Sequence, residues 1–167
     1  MRNIALAVEA VLFTLIVPGA IWYWIPRHAL GTWSGGFPPP WTAWHIGALV
    51  PLTMGAGVYL RCLWDFAARG RGIPSPVDHP RRLVVTGLYR YVRNPMYVGA
   101  LLVLLGEAVF FRSVSGLLYA LGWFAIIHFV VLLYEEPYLR HRFGHDYERY
   151  VRAVHRWLPG RPYTSGD

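Results

Sequence analysis

Apolar residues along this chain gather into four long blocks, separated by stretches rich in Arg, Pro and Gly. The first block, 4–25, is long enough at ~1.5 Å per residue to cross a hydrocarbon core of roughly 30 Å, and Pro18 is placed to kink it. The run WSGGFPPP within 26–40 forbids a continuing helix, and a second span follows over 41–64. Residues 65–94 are polar, with Arg69, Arg71, Arg81, Arg82, Arg90 and Arg93 set among Gly and Pro. Two further apolar blocks, 96–111 and 113–134, are divided only by Arg112 and its neighbours, as in a tight helical hairpin. The rest, 135–167, is charged and aromatic. The pattern predicts an all-α integral membrane protein of about four transmembrane helices. It has a single domain: two N-terminal spans (1–64), a connection (65–94), a hairpin (95–134) and an amphipathic helical tail (135–167).

Composition and charge set the topology. Hydrophobic residues make up 55% of the chain, and the arginines sit beside spans of bilayer length with no basic soluble domain or RNA-binding signature, so the net charge of +7 points to lipid headgroups and not to nucleic acid. Four spans place both termini and the 65–94 connection on one side. That side collects fourteen of the sixteen arginines, and only Arg27 and Arg112 face the other way. The bias makes the termini, connection and tail cytoplasmic, and the expected location is a prokaryotic inner membrane with the site facing the cytoplasm. A lone cysteine, Cys62, excludes an internal disulfide, and no cysteine-based metal site is expected. No small-residue cleavage site ends the first apolar run, which therefore reads as a retained helix.

Three segments exceed what plain membrane helices need. In 87–99, Asn94 followed by Pro95 fits a helix start at the interface. Its free N–H groups, flanked by Arg90 and Arg93, suit a carboxylate or phosphate, or else simply form a capped helix with Tyr and Arg anchors. Glu135 and Glu136 directly follow the fourth apolar block. Adjacent carboxylates diverge by ~100° on a helix unless Pro137 alters it, and a solvated helix end is the alternative. In the third segment, Leu139, Phe143, Tyr147, Tyr150 and Val154 approximate one face of an interrupted helix, which either lies on anionic lipid or covers the site as a lid.

Together these segments resemble the isoprenylcysteine carboxyl methyltransferase and phospholipid methyltransferase superfamily of membrane proteins. Gly87, Tyr89, Arg90, Arg93, Asn94, Pro95, Tyr97 and Gly99 meet one family element. Glu135, Glu136, Leu139, Phe143, Gly144, Tyr147 and Tyr150 meet the second, and Arg156 and Pro159 fit the closing segment. Upstream, Gly55 and Gly57 resemble a Gly-x-Gly of the preceding helix, or serve only to let helices pack closely.

The resemblance implies S-adenosylmethionine as methyl donor, with transfer to a lipophilic or membrane-associated acceptor at the cytoplasmic face. Glu135 and Glu136 would hold the donor's amino or ribose groups, which makes Glu136 a binding residue whose loss leaves the fold intact. Tyr89, Asn94, Tyr147 and Tyr150 would line the pocket, with Arg90, Pro95, Tyr97, Gly55 and Gly57 in the same elements. Arg156, then Arg93, would position a carboxylate acceptor; Glu136 or a water would serve as base for an amine, and no metal is needed. Asn94 stands where histidine is common in the carboxyl methyltransferases, so carboxylate, amine and thiol acceptors all stay open. The rivals are an NADPH-dependent membrane reductase of related architecture and a non-catalytic membrane binding or assembly protein. The sequence sets no oligomeric state. Glu9, Glu107 and His128 fall inside apolar blocks, where Glu107 and His128 are candidates for a structural pair, and His45 is expected near an interface.

Overall fold

The computed structural model describes residues 16, 18–31, 41–68, 83 and 85–164, with only the backbone of 66–68. Most of the first apolar block with Glu9, the Pro-rich run 33–40, and Arg2, Arg69, Arg71, Arg81 and Arg82 lie outside the described residues. Among those described, every regular element is helical. Helix α1 spans Ala20–Ala29, α2 Ala43–Ala68, α3 Pro95–Phe110, α4 Val114–Val130, α5 Glu136–Phe143 and α6 His145–Ala153, with a 3₁₀ turn at Gly87–Arg90.

Two of these helices, over Ala43–Asp65 and Val114–Phe143, are long and apolar enough to cross a bilayer. A core helix of a soluble protein would bury its apolar side chains, yet only 17% of the most apolar window in Val114–Phe143 is buried. Leu117, Leu118, Leu121, Ile126, Phe129 and Leu133 are all exposed along it. Such a surface is stable only against lipid, and the chain is an integral membrane protein.

The chain divides into two compact units, one of Met1–Gly57 with Gly99–Phe124 and the other of Val58–Val98 with Ala125–Asp167. In the first, α1 continues past position 25 to Ala29 and takes in Pro26, where the sequence pattern predicts a loop. Proline lacks an N–H and its ring crowds the carbonyl four residues back, and α1 accommodates this by winding to the wider π repeat. Gly55 lets α2 and α3 approach closely, because a Cβ there would stand 2.6 Å from the Gly99 carbonyl oxygen. That contact gives Gly55 a packing role. Trp44 Nε1 donates to the Val109 carbonyl at 2.7 Å, and buried His45 accepts from the Thr42 N–H at 3.2 Å while its ring edge meets Phe110. His45 thus braces the start of α2.

In the second unit the fourth apolar helix does not stop at Tyr134. It runs on through a π-wound turn, Val131–Glu135, into α5. Pro137 supplies the reason, since it cannot bond back to residue 133 and crowds that carbonyl, and the widened turn directly before it relieves both effects. Gly144 then breaks the path, at φ 50° and ψ −122°, a conformation that in practice only glycine adopts. The aromatic face read from the sequence is buried within the chain. Tyr147, Tyr150, Val154 and Tyr163 form a core against which Leu83, Val85, Leu139, Phe143 and Val151 pack.

The backbone of Gly144 is the hinge of that core. A Cβ added there meets no neighbouring atom, so any cost of Gly144→Ala is conformational. The variant should lose roughly 1–3 kcal/mol in denaturant unfolding. Gly57→Ala, equally open but inside a regular helix, should be neutral or stabilising by roughly 0.5–1 kcal/mol. Equal effects of the two substitutions would remove backbone strain as the explanation.

Candidate active site

The site lies wholly within the second unit and begins at the start of α3. Helix α3 opens at Pro95, and the Asn94 carbonyl accepts the Val98 N–H at 3.1 Å, so the helix starts at the predicted Asn-Pro step. The Asn94 side-chain amide is used differently from a simple cap, because its nitrogen donates to the Arg156 carbonyl at 3.2 Å.

That bond is one of a series joining 89–94 to the closing segment. The Arg93 N–H donates to the His155 carbonyl, the Gly160 N–H to that of Tyr91, and the Tyr163 N–H to that of Arg90, each at 2.9 Å. The Tyr150 hydroxyl adds a 2.6 Å bond to the Tyr89 carbonyl. After the short 3₁₀ turn these backbone groups have no helical partners, and the C-terminal segment satisfies them. Trp157 ties the same segment to α4 by donating its indole N–H to His128 Nδ1 at 3.0 Å. His128 therefore has a partner in this unit, while Glu107 belongs to the other.

The pairing brings Glu136 between two guanidiniums. Arg156 grips it with two bonds, Nε to Oε1 at 2.6 Å and Nη2 to Oε2 at 2.9 Å. Arg93 Nη1 lies 3.0 Å from the same Oε1, close enough for Coulomb attraction but off the line a hydrogen bond needs. Glu136 is 4% exposed, and the Arg93 and Arg156 side chains 10% and 25%. The bond to Glu136 raises the Arg156 guanidinium above the usual arginine range. Arg93 keeps Nε and Nη1 buried with no hydrogen-bond acceptor among the described residues, so the triad carries one positive charge in excess and has donors to spare.

Glu135 takes another direction and accepts the Tyr97 hydroxyl at 2.5 Å. The two adjacent carboxylates therefore diverge, one toward the start of α3 and one toward the arginines. Around them stand Tyr89, Tyr147 and Tyr150. Burial pushes the Tyr89 and Tyr150 hydroxyls well above the usual phenol range. Burial also raises Tyr147, with Glu136 adding to the effect and Arg93 opposing it. All three are neutral donors near neutral pH, suited to lining a pocket and not to removing protons.

One buried residue escaped sequence reasoning. Asp65, at the end of the second apolar span, is buried against Gly87, which has φ 62° and whose Cβ would overlap the Asp65 carboxylate. Its signal was present as an acid four residues after Arg61, with which it makes a 3.5 Å ion pair. Of the other expected site residues, Arg90 turns toward Tyr163, with its Nε donating to the Tyr163 carbonyl at 2.9 Å, and Gly57 has open space around it.

The profile described as phospholipid methyltransferase matches residues 45–146, from the start of α2 to the start of α6. This chain belongs to that family. Its relatives include a probable protein-S-isoprenylcysteine O-methyltransferase of Oryza sativa, in both indica and japonica forms. Each is 34% identical over 83 residues, covering 49% of this chain and 43% of the rice protein. An uncharacterized protein of Haemophilus influenzae is 33% identical over 69 residues, covering 38% of this chain and all of its own length. The match to this chain spans less than half the length of the rice proteins. No solved structure matches significantly.

The partners of Glu136 alter the expectation that its loss leaves the fold intact. Glu136→Gln strands two guanidiniums, one of them deeply buried, and should cost about 3–5 kcal/mol. Glu136→Gln combined with Arg93→Gln should recover part of that loss. An unchanged unfolding midpoint for Glu136→Gln in detergent would show that the triad contributes nothing to stability.

Proposed function

We propose that this chain is an S-adenosylmethionine-dependent methyltransferase acting on a lipophilic or membrane-associated acceptor, at a site facing the cytoplasm. The observation that carries the reading is the Arg93 guanidinium, buried beside Glu136 with two nitrogens lacking hydrogen-bond acceptors among the described residues. A buried cation with donors to spare calls for an anion, and the donor's methionyl carboxylate is one of the right chemistry. Glu135, on the Tyr97 hydroxyl and away from the arginines, suits the amino group or ribose hydroxyls. Tyr89, Tyr147 and Tyr150 supply aromatic faces for a sulfonium and neutral hydroxyls.

When bound, the sulfonium supplies a methyl group already activated for transfer. The chain's own residues are then left with orientation and exclusion of water. Arg156 fixes Glu136 and, through the Asn94 bond to its carbonyl, locks the closing segment over the start of α3. Glu136, held ionised between two guanidiniums, is a positioning residue here and a poor general base. An amine acceptor would have to arrive neutral or lose its proton to water. Membership of the phospholipid methyltransferase family and the likeness to the rice proteins support a lipid or prenylated acceptor.

Calorimetric titration of the purified chain in neutral detergent should show S-adenosylmethionine binding and none for NADPH. Glu135→Gln, which keeps shape and removes charge, should weaken that binding by about tenfold, the effect of one charge-assisted hydrogen bond of ~1.4 kcal/mol, without moving the unfolding midpoint. Methyl transfer from labelled donor into a host lipid extract should fall in parallel. NADPH binding alone would support the reductase, and binding of neither compound would support an assembly role.

A further inference from the structure

A second polar site lies in the same unit, at Arg90, three residues before Arg93 of the triad. Val85, Thr86, Arg90, Tyr163 and Thr164 line an open hollow of about 300 Å³, at the small end of the ~300–1,000 Å³ range of ligand sites. Of the residues that the family resemblance assigns to the donor, only Arg90 borders it.

The hollow is held by reciprocal bonds. The Tyr163 N–H donates to the Arg90 carbonyl, and Arg90 Nε donates back to the Tyr163 carbonyl, both at 2.9 Å. Tyr163 is itself buried against Tyr150, with ring centroids 5.5 Å apart, so the arginine is braced from a packed core. A guanidinium fixed through Nε keeps the N–H groups of its two terminal nitrogens, in a planar fork that matches the oxygens of a phosphate. Thr86 and Thr164 add hydroxyls, Val85 and the Tyr163 ring add apolar wall, and none of the five lining residues is acidic. One fixed guanidinium with two hydroxyls and no carboxylate among the described lining residues selects an anion, and the fork selects a tetrahedral oxyanion.

We propose that this hollow is a phosphate-binding site, taking a phosphate ester such as a lipid headgroup or free phosphate, and that Arg90 is its principal ligand. It is separate from the Glu136 triad and does not depend on the methyl-transfer reading.

The test uses the full chain in uncharged detergent, titrated with inorganic phosphate and with dihexanoyl phosphatidic acid and followed by phosphorus NMR line broadening. Saturable binding is expected, reduced at least tenfold by Arg90→Gln and severalfold by Thr164→Val. Arg152→Gln removes the same charge from an exposed face of α6 and should change affinity less than twofold. Binding of the lipid phosphate alone assigns the source to headgroups, and equal binding of both probes assigns it to phosphate in general; either supports the site. Equal losses in Arg90→Gln and Arg152→Gln would reduce the effect to the field of a +7 chain and overturn it. If Arg90→Gln fails to fold because Tyr163 is released, Thr164→Val decides, and unchanged affinity there overturns the proposal. Titration of S-adenosylmethionine into the same samples keeps the two sites apart: lost donor binding with phosphate binding intact defeats the methyl-transfer reading and leaves this one standing, whereas displacement of phosphate by the donor would defeat this one.

Discussion

The second unit is organised around the burial of one carboxylate between two arginines. Removing Glu136 from water is unfavourable by several kcal/mol, and the same holds for Arg93; the arrangement is stable only because the charges meet at 2.6–3.0 Å with a two-pronged grip from Arg156. The three residues come from the first residue of α5, the residue before the Asn-Pro step and the segment after α6. A carboxylate that must find both guanidiniums fixes where each of these segments runs. The buried tyrosines and the backbone bonds between 89–94 and 155–163 then settle around that fixed point.

The same constraint explains why the fourth apolar helix carries its acids where it does. Adjacent positions on a helix diverge, and here each carboxylate reaches its own partner, Glu135 the Tyr97 hydroxyl and Glu136 the arginines, while the π-wound turn before Pro137 absorbs the bond that proline cannot make. A proline that looks like a helix stop thus lets the helix run on past both acids. Pro26 works the same way in α1, where the helix widens around it and goes on to Ala29.

Much of this was legible in the residues, for identifiable reasons. Apolar blocks give helices because bilayer length and composition leave few alternatives, and the Asn94-Pro95 step marks the start of α3 because proline is preorganised for a first turn. The face of Leu139, Phe143, Tyr147, Tyr150 and Val154 is visible as a period and is buried as one cluster. The lipid-surface role is a different matter, since periodicity shows that a face is apolar and not what covers it. The pairing of 89–94 with the closing segment had no signal, because main-chain bonds carry no side-chain pattern. Asp65 was passed over because its burial depends on Gly87, many residues away, adopting a left-handed turn that leaves room for a carboxylate. Periodic features survive translation into structure; features made by long-range main-chain contact have to be seen.

Charge accounts for what is left over. Glu136 neutralises one arginine of its pair, so a net cation stays buried at Arg93, and Arg90, three residues earlier, is braced by a carbonyl and makes no ion pair among the described residues. A membrane protein has reason to avoid such a surplus, since an uncompensated buried guanidinium is among the costlier groups to hold out of water. A surplus guanidinium buried at Arg93 and a second, partly buried one at Arg90 make sense if anions complete both, one deep beside the tyrosines and one in the open hollow at Tyr163. On the two proposals made above, the fold supplies cationic halves of two sites at one helix start, and ligands would supply the other halves.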